Sequence, residues 1–146
     1  MRLYFKTSLA HPFKKVVQGF SRELFEKLTP PWASADLDRF DGCKKGDEVH
    51  LTLKLLGTSQ KWVSLMTDAK ETQNEWFFID EGKVLPWPIK EWKHKHIVRK
   101  INENESEIID DIYYSAGPLS VFIYPALWAT FMIRPDRYRQ FYKGQT

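Results

Sequence analysis

The 146-residue chain has a single cysteine, Cys43, so no disulfide can form within it and no cysteine-based zinc site can be built. Cys43 falls in the probable turn Asp41-Gly42-Cys43-Lys44-Lys45-Gly46 and reads as incidental. There is no glycine-rich phosphate loop and no serine in a nucleophile elbow, which removes the common nucleotide-binding and serine-hydrolase classes. No charge of one sign dominates. The 22 basic and 19 acidic residues interleave, for a net charge of +3, which describes a solvated surface and not a nucleic-acid stripe. The start carries no signal-peptide core, because Phe5-Lys6-Thr7-Ser8 interrupts it, so the expected location is the cytoplasm. The longest apolar stretch, Leu119 to Ile133, falls short of the roughly 18 residues needed to span a membrane.

What is present is one domain's worth of chain, able to bury about 70% of its unfolded surface. Aromatic residues make up 15% of it, including six tryptophans. Such an excess builds either a bulky core or an apolar cavity with stiff walls.

Hydrophobic periodicity orders the elements. Residues 2–9 alternate as a strand. Pro12 stands where a first helical residue belongs, and Phe13, Val16, Val17, Phe20, Leu24, Phe25 and Leu28 follow at helical spacing. Gly19 and Ser21 weaken the middle, which suits two short helices, and Pro30-Pro31 ends the region. From Leu37 the pattern turns to strands. Val49, Leu51, Leu53 and Leu55 alternate with polar residues, and further strands are expected over 60–67, 75–80, 90–100 and 106–115. Val84 to Ile89 holds two prolines and exposes Leu85 and Trp87, so it is an edge or loop serving as a pocket rim or an oligomer contact. Leu119 to Ile133 reads as a long buried helix kinked near Pro125, with Leu119, Phe122, Leu127 and Phe131 toward the sheet. Pro135 marks a break, and the basic residues Arg134, Arg137, Arg139 and Lys143 form either a solvated helix terminus or a membrane-surface element. Short connections predict an antiparallel α+β fold in which the C-terminal helix covers a curved sheet.

Within this order the most informative segment is Trp92-Lys93-His94-Lys95-His96. On a strand Trp92, His94, His96 and Val98 share one face, while Lys93, Lys95 and Arg99 share the wet one. Imidazoles on a covered face need partners, and Ile108 to Tyr114 lies one strand on. Parity puts one of Asp110 and Asp111 with the histidines and the other with Lys93 or Lys95.

The element order resembles the helix-grip arrangement of the START-like, or SRPBCC, superfamily, which includes polyketide cyclases, the major birch-pollen allergen and lipid-transfer domains. Phe78-Ile79-Asp80-Glu81, Pro88, Trp92 to His96 and Asp110 to Tyr114 look like a bacterial subgroup of ligand-binding or cell-division-inhibitor-like SRPBCC proteins. The resemblance covers nearly the whole chain. It implies a sheet of about seven strands around a long C-terminal helix, and it places Asp110 with Tyr114 in a pocket.

Three readings of the histidines stay open. They anchor the polar end of a hydrophobic ligand, they act with Asp110 as acid/base groups of a cofactor-independent cyclase, dehydratase or hydrolase, or they satisfy one another in the core. A metal would need a third ligand such as Asp110, His50 or Glu75, and none is expected, nor any cofactor. The expected ligand-binding set is Trp62, Phe78, Trp92, His94, His96, Asp110, Tyr114 and Phe122, with Trp76 and Trp128 as further wall candidates. The expected partner is a small hydrophobic molecule, such as a lipid or an aromatic or polyketide-like compound. A homodimer or a protein or membrane contact is the other expectation.

Overall fold

In a computed structural model, which describes residues 1–55 and 57–145, the chain opens with strand β1 (Arg2–Leu9). Two short helices follow, α1 (Phe13–Gln18) and α2 (Arg22–Lys27). Gly19 ends the first, and the Ser21 side chain caps the second by accepting from the Leu24 amide. The chain then runs through β2 (Ser34–Phe40), β3 (Glu48–Leu55), β4 (Thr58–Glu71), β5 (Glu75–Val84), β6 (Glu91–Asn102) and β7 (Glu105–Ser115). All seven strands form one antiparallel sheet in the order β1-β7-β6-β5-β4-β3-β2. The helical pair thus carries the chain from one edge of the sheet to the other, and each later strand pairs with its predecessor. The result is the helix-grip fold, an α+β architecture of a curved sheet closed by C-terminal helices.

The closing element differs from its sequence expectation. It comprises α3 (Ser120–Met132), with Pro125 inside it, and α4 (Arg134–Lys143), and the break expected at Pro135 falls at Ile133. Pro135 has no N–H to return to the carbonyl of Phe131, so the helical ladder is interrupted there. The segment read as greasy and buried lies largely on the surface: Phe122 is 79% exposed, and Val121, Trp128 and Met132 are exposed beside it. Of the four residues expected toward the sheet, Leu127 and Phe131 do face inward, joined by Ile123 and Thr130, whereas Leu119 and Phe122 are exposed. An almost uniformly apolar helix has no polar side to betray its orientation. Conversely, the basic terminal segment supplies core. Tyr138, Phe141 and Tyr142 of α4 are buried among Leu9, Phe13, Val16, Leu24, Val98 and Ile108. The Tyr142 hydroxyl donates to the Val16 carbonyl at 2.6 Å, and the Tyr142 ring lies so close to Gly19 that a Cβ there would overlap it.

Among the described residues no helix is long and apolar enough to cross a membrane. Of the alternating leucines in β3, Leu51 and Leu53 face the space under α3 together with Val49, while the Leu55 side chain lies outside the described part.

Candidate functional site

A cavity of about 610 Å³ lies between the sheet and α3. Its wall is mostly apolar, with Leu37, Leu51, Leu53, Met66, Ile123 and Leu127 among its members. The loop 86–89 forms part of the rim, where Trp87 is 75% exposed. Glu26 and Thr29 line the cavity from the α2 side, while its buried ionisable groups Asp80, His94 and His96 gather in one place beside Arg134.

Strand alternation positions these groups. Trp92, His94 and His96 of β6 point inward together, as do Phe78 and Asp80 of β5 and Asp110 of β7. Asp80 stands directly opposite His94, and Asp110 directly opposite His96. The hydrogen bonds nevertheless run diagonally. His94 Nε2 donates to Asp110 Oδ1 at 2.8 Å, and His96 Nε2 donates to Asp80 Oδ2 at 2.7 Å. The two imidazoles stack with centroids 3.5 Å apart, and His96 stacks in turn on Phe78 at 4.2 Å. Each carboxylate is then completed separately. Asp80 Oδ1 accepts from Trp92 Nε1 at 2.9 Å and from Ser64 Oγ at 3.1 Å, and Ser64 accepts from Trp62 Nε1. Asp110 accepts from Arg134 Nη1 at 3.1 Å and from the Tyr138 hydroxyl at 3.2 Å.

Burial works to raise the pKa of both carboxyls. For Asp80 the hydrogen bond from His96 and the nearby imidazoles outweigh it, and for Asp110 the Arg134 charge and the His94 bond do so, so both are held below their ordinary value. The pKa of His96 is lowered too, which for a base favours the uncharged form: burial, with the neighbouring His94, takes it to about 4, so it is neutral at physiological pH. Burial and the adjacent Asp110 push the Tyr138 hydroxyl well up, so it stays a donor. Two atoms of the cluster are buried without a hydrogen-bond partner, His96 Nδ1 and Arg134 Nε. Such orphans are costly in an interior, and Thr7 Oγ1 on β1 is another, outside the cluster.

Of the residues expected from sequence, Trp62, Trp92, His94 and His96 line the cavity. Phe78 is fully buried behind His96 and Asp110 behind His94, so each supports the wall without forming it. Tyr114 is fully buried elsewhere, with its hydroxyl donating to the Ser120 carbonyl, and it does not join the histidines. Phe122 points away from the cavity. Trp76 packs on Phe20 and Phe78 in the core. Asp111 bonds Arg2 from the first strand instead of Lys93 or Lys95, because β1 covers that edge of β7. Burial pushes the Cys43 thiol up to about 12, which leaves it inert.

Sequence reasoning missed the roles of Asp80, Ser64, Arg134 and Tyr138. Asp80 had a signal, since it shares strand parity with Phe78 in an otherwise apolar segment. Arg134 and Tyr138 had none, because their inward placement depends on how α4 docks.

No family model and no curated protein matches the chain by sequence. Solved structures match it by shape. A protein from Arthrobacter aurescens is similar at a TM-score of 0.72 and 12% identity, covering 98% of this chain and 86% of that one. An aromatase/cyclase from Streptomyces is similar at 0.68 and 10% identity, covering 94% and 90%. Norcoclaurine synthase from Thalictrum is similar at 0.68 and 11% identity, covering 99% and 95%. At such identities the likeness establishes the fold alone, the helix-grip arrangement of sheet and C-terminal helices.

Proposed function

We propose that this protein binds a small hydrophobic molecule bearing one polar, hydrogen-bond-accepting end. The observation that carries this reading is an apolar cavity of about 610 Å³, drug-sized, with its buried polar groups gathered at one point. Trp62 and Trp92, edge to face at 4.7 Å, supply a rigid aromatic wall. Arg134 supplies the polar end's partner. Its Nη1 is committed to Asp110 and Tyr138, whereas its Nε is buried with no acceptor. A carboxylate or carbonyl oxygen of the ligand suits the guanidinium where it lines the cavity wall.

The test is binding of an apolar fluorescent probe with a stoichiometry near one per chain, displaced by long-chain or aromatic carboxylates. Native mass spectrometry of freshly purified protein should also reveal a co-purifying small molecule. A protein that binds no apolar probe and carries no molecule rejects the reading.

A second reading is cofactor-independent catalysis of the cyclase, dehydratase or hydrolase type. It is favoured by one feature, that both imidazoles are aligned by carboxylates at the cavity wall, as proton transfer requires. The fold neighbours that are an aromatase/cyclase and a synthase are consistent with it. Under this reading His94→Gln keeps ligand affinity and loses turnover.

A further inference from the structure

We propose that Asp80, His94 and His96 form a binding site for one divalent first-row transition-metal ion at the wall of the apolar cavity. The two histidines alone do not suggest it. The third ligand comes from the neighbouring strand, where Asp80 stands opposite His94, and one ligand atom from each of the three residues lies within 4.8 Å of the others. Asp80 Oδ2 is 2.7 Å from His96 Nε2 and 3.7 Å from His94 Nδ1. Ligand bonds of about 2.1 Å meeting at roughly 90–110° separate donor atoms by about 3.0–3.4 Å, between those two values. A metal at this point needs the ligand atoms to move by tenths of an ångström and the stacked rings to splay.

The surrounding bonds are already those of an outer shell. Metal-binding imidazoles characteristically donate their second N–H to a carboxylate. His94 does so, from Nε2 to Asp110 at 2.8 Å, which leaves Nδ1 as its metal-facing atom. Asp80 keeps its Oδ1 occupied by Trp92 and Ser64, which leaves Oδ2 for the metal. The buried orphan is explained by the same arrangement. Once a metal takes His96 Nε2, the ring proton belongs on Nδ1, and the acceptor nearest to hand is Asp110 Oδ1 at 3.7 Å. Asp110 would then receive both outer N–H groups.

Asp110 itself is the weaker candidate for a ligand. Its oxygens already accept from Arg134, Tyr138 and His94, and it is not part of the cavity wall. The remaining coordination positions face the cavity, because Asp80, His94 and His96 all line it. Two imidazoles, one carboxylate and open positions suit Zn²⁺, Fe²⁺ or Co²⁺ better than Ca²⁺ or Mg²⁺, which prefer all-oxygen shells.

The experiment is titration of chelator-treated, metal-free full chain with Co²⁺, read by its visible absorption bands, with metal analysis after Zn²⁺ loading. The expected result is one equivalent of metal per chain at free metal on the order of 10 μM or below. The melting temperature should climb with metal concentration. His96→Ala and Asp80→Asn should each abolish stoichiometric uptake, while His11→Ala and His50→Ala should retain it. Asp110→Asn should weaken it by about 10–100-fold, the usual loss when an outer-shell partner goes. A folded wild-type chain that takes up no Co²⁺ or Zn²⁺ overturns the proposal without any variant. So does uptake that survives both His96→Ala and Asp80→Asn, or that depends on His11 or His50. Probe binding without metal uptake leaves the ligand-binding reading intact and removes this one; metal uptake without probe binding does the reverse.

Discussion

His94 bonds Asp110 at 2.8 Å, although the residue standing opposite Asp110 across the β6–β7 ladder is His96. The diagonal, repeated by His96 toward Asp80, ties three adjacent strands together through side chains alone. It also makes the two aspartates unequal. Asp110 neutralises a half-buried arginine, whereas Asp80 is hydrogen-bonded by neutral donors and one imidazole.

That inequality predicts different costs. Asp110→Asn leaves the half-buried Arg134 charge without its carboxylate and should destabilise by about 2–4 kcal/mol. Asp80→Asn keeps an acceptor for Trp92 and should cost less, about 1–3 kcal/mol. Urea denaturation of the two variants checks the order, and equal losses would contradict the assignment of Arg134 to Asp110.

Acid should weaken the fold through His96. Its pKa is about 4 in the folded chain and 6.5 in the unfolded one. Above 6.5 the imidazole is neutral in both states and adds no pH dependence. Between 6.5 and about 4 the unfolded chain takes up a proton that the folded chain refuses, so stability falls as pH falls. Asp80 and Asp110, both held below the ordinary 3.8, extend the loss to lower pH in the same direction. Denaturant midpoints measured across this range should show the slope, and His96→Gln should flatten its upper part.

The inward face of α3 is testable by contrast. Phe131 is buried against Trp92 and beneath Arg134, so Phe131→Ala should cost about 3–5 kcal/mol. Phe122, at 79% exposed, should tolerate Phe122→Ser within about 0.5 kcal/mol and leave probe affinity unchanged. Thermal melts with probe titrations decide this, and the reverse ranking would mean that α3 is rotated.

The docking of α4 predicts that truncation after Met132 already gives insoluble protein, because Tyr138, Phe141 and Tyr142 leave the core with it. Gly19→Ala tests the same contact gently. The added methyl group would overlap the Tyr142 ring, and overpacking of this kind should cost about 1–3 kcal/mol by chemical denaturation. A neutral Gly19→Ala would show that α4 does not press on α1 as described.

Strands and their inward faces were legible because strand parity is local. Once 91–102 is a strand, Trp92, His94 and His96 must share a side, whatever lies beyond it. Parity announced a polar pair facing a covered space, helical spacing weakened at Gly19 and Ser21 announced two short helices, and short connections announced an antiparallel sheet. Partner choice was not local. Ladder register set Asp80 across from His94, and ring rotation sent each histidine to the aspartate opposite its neighbour. The orientation of α3 was hidden for a different reason: a helix apolar on every side has no pattern from which to read its buried face. The basic residues of α4 drew attention to its wet surface, whereas Tyr138 and Tyr142 bury rings and satisfy their hydroxyls within the fold. Sequence by itself therefore determined which residues of each strand would share a covered face. Only the packing of distant segments decided which of them meet, because hydrogen-bond partners 16 to 28 residues apart are chosen by tertiary geometry and not by periodicity.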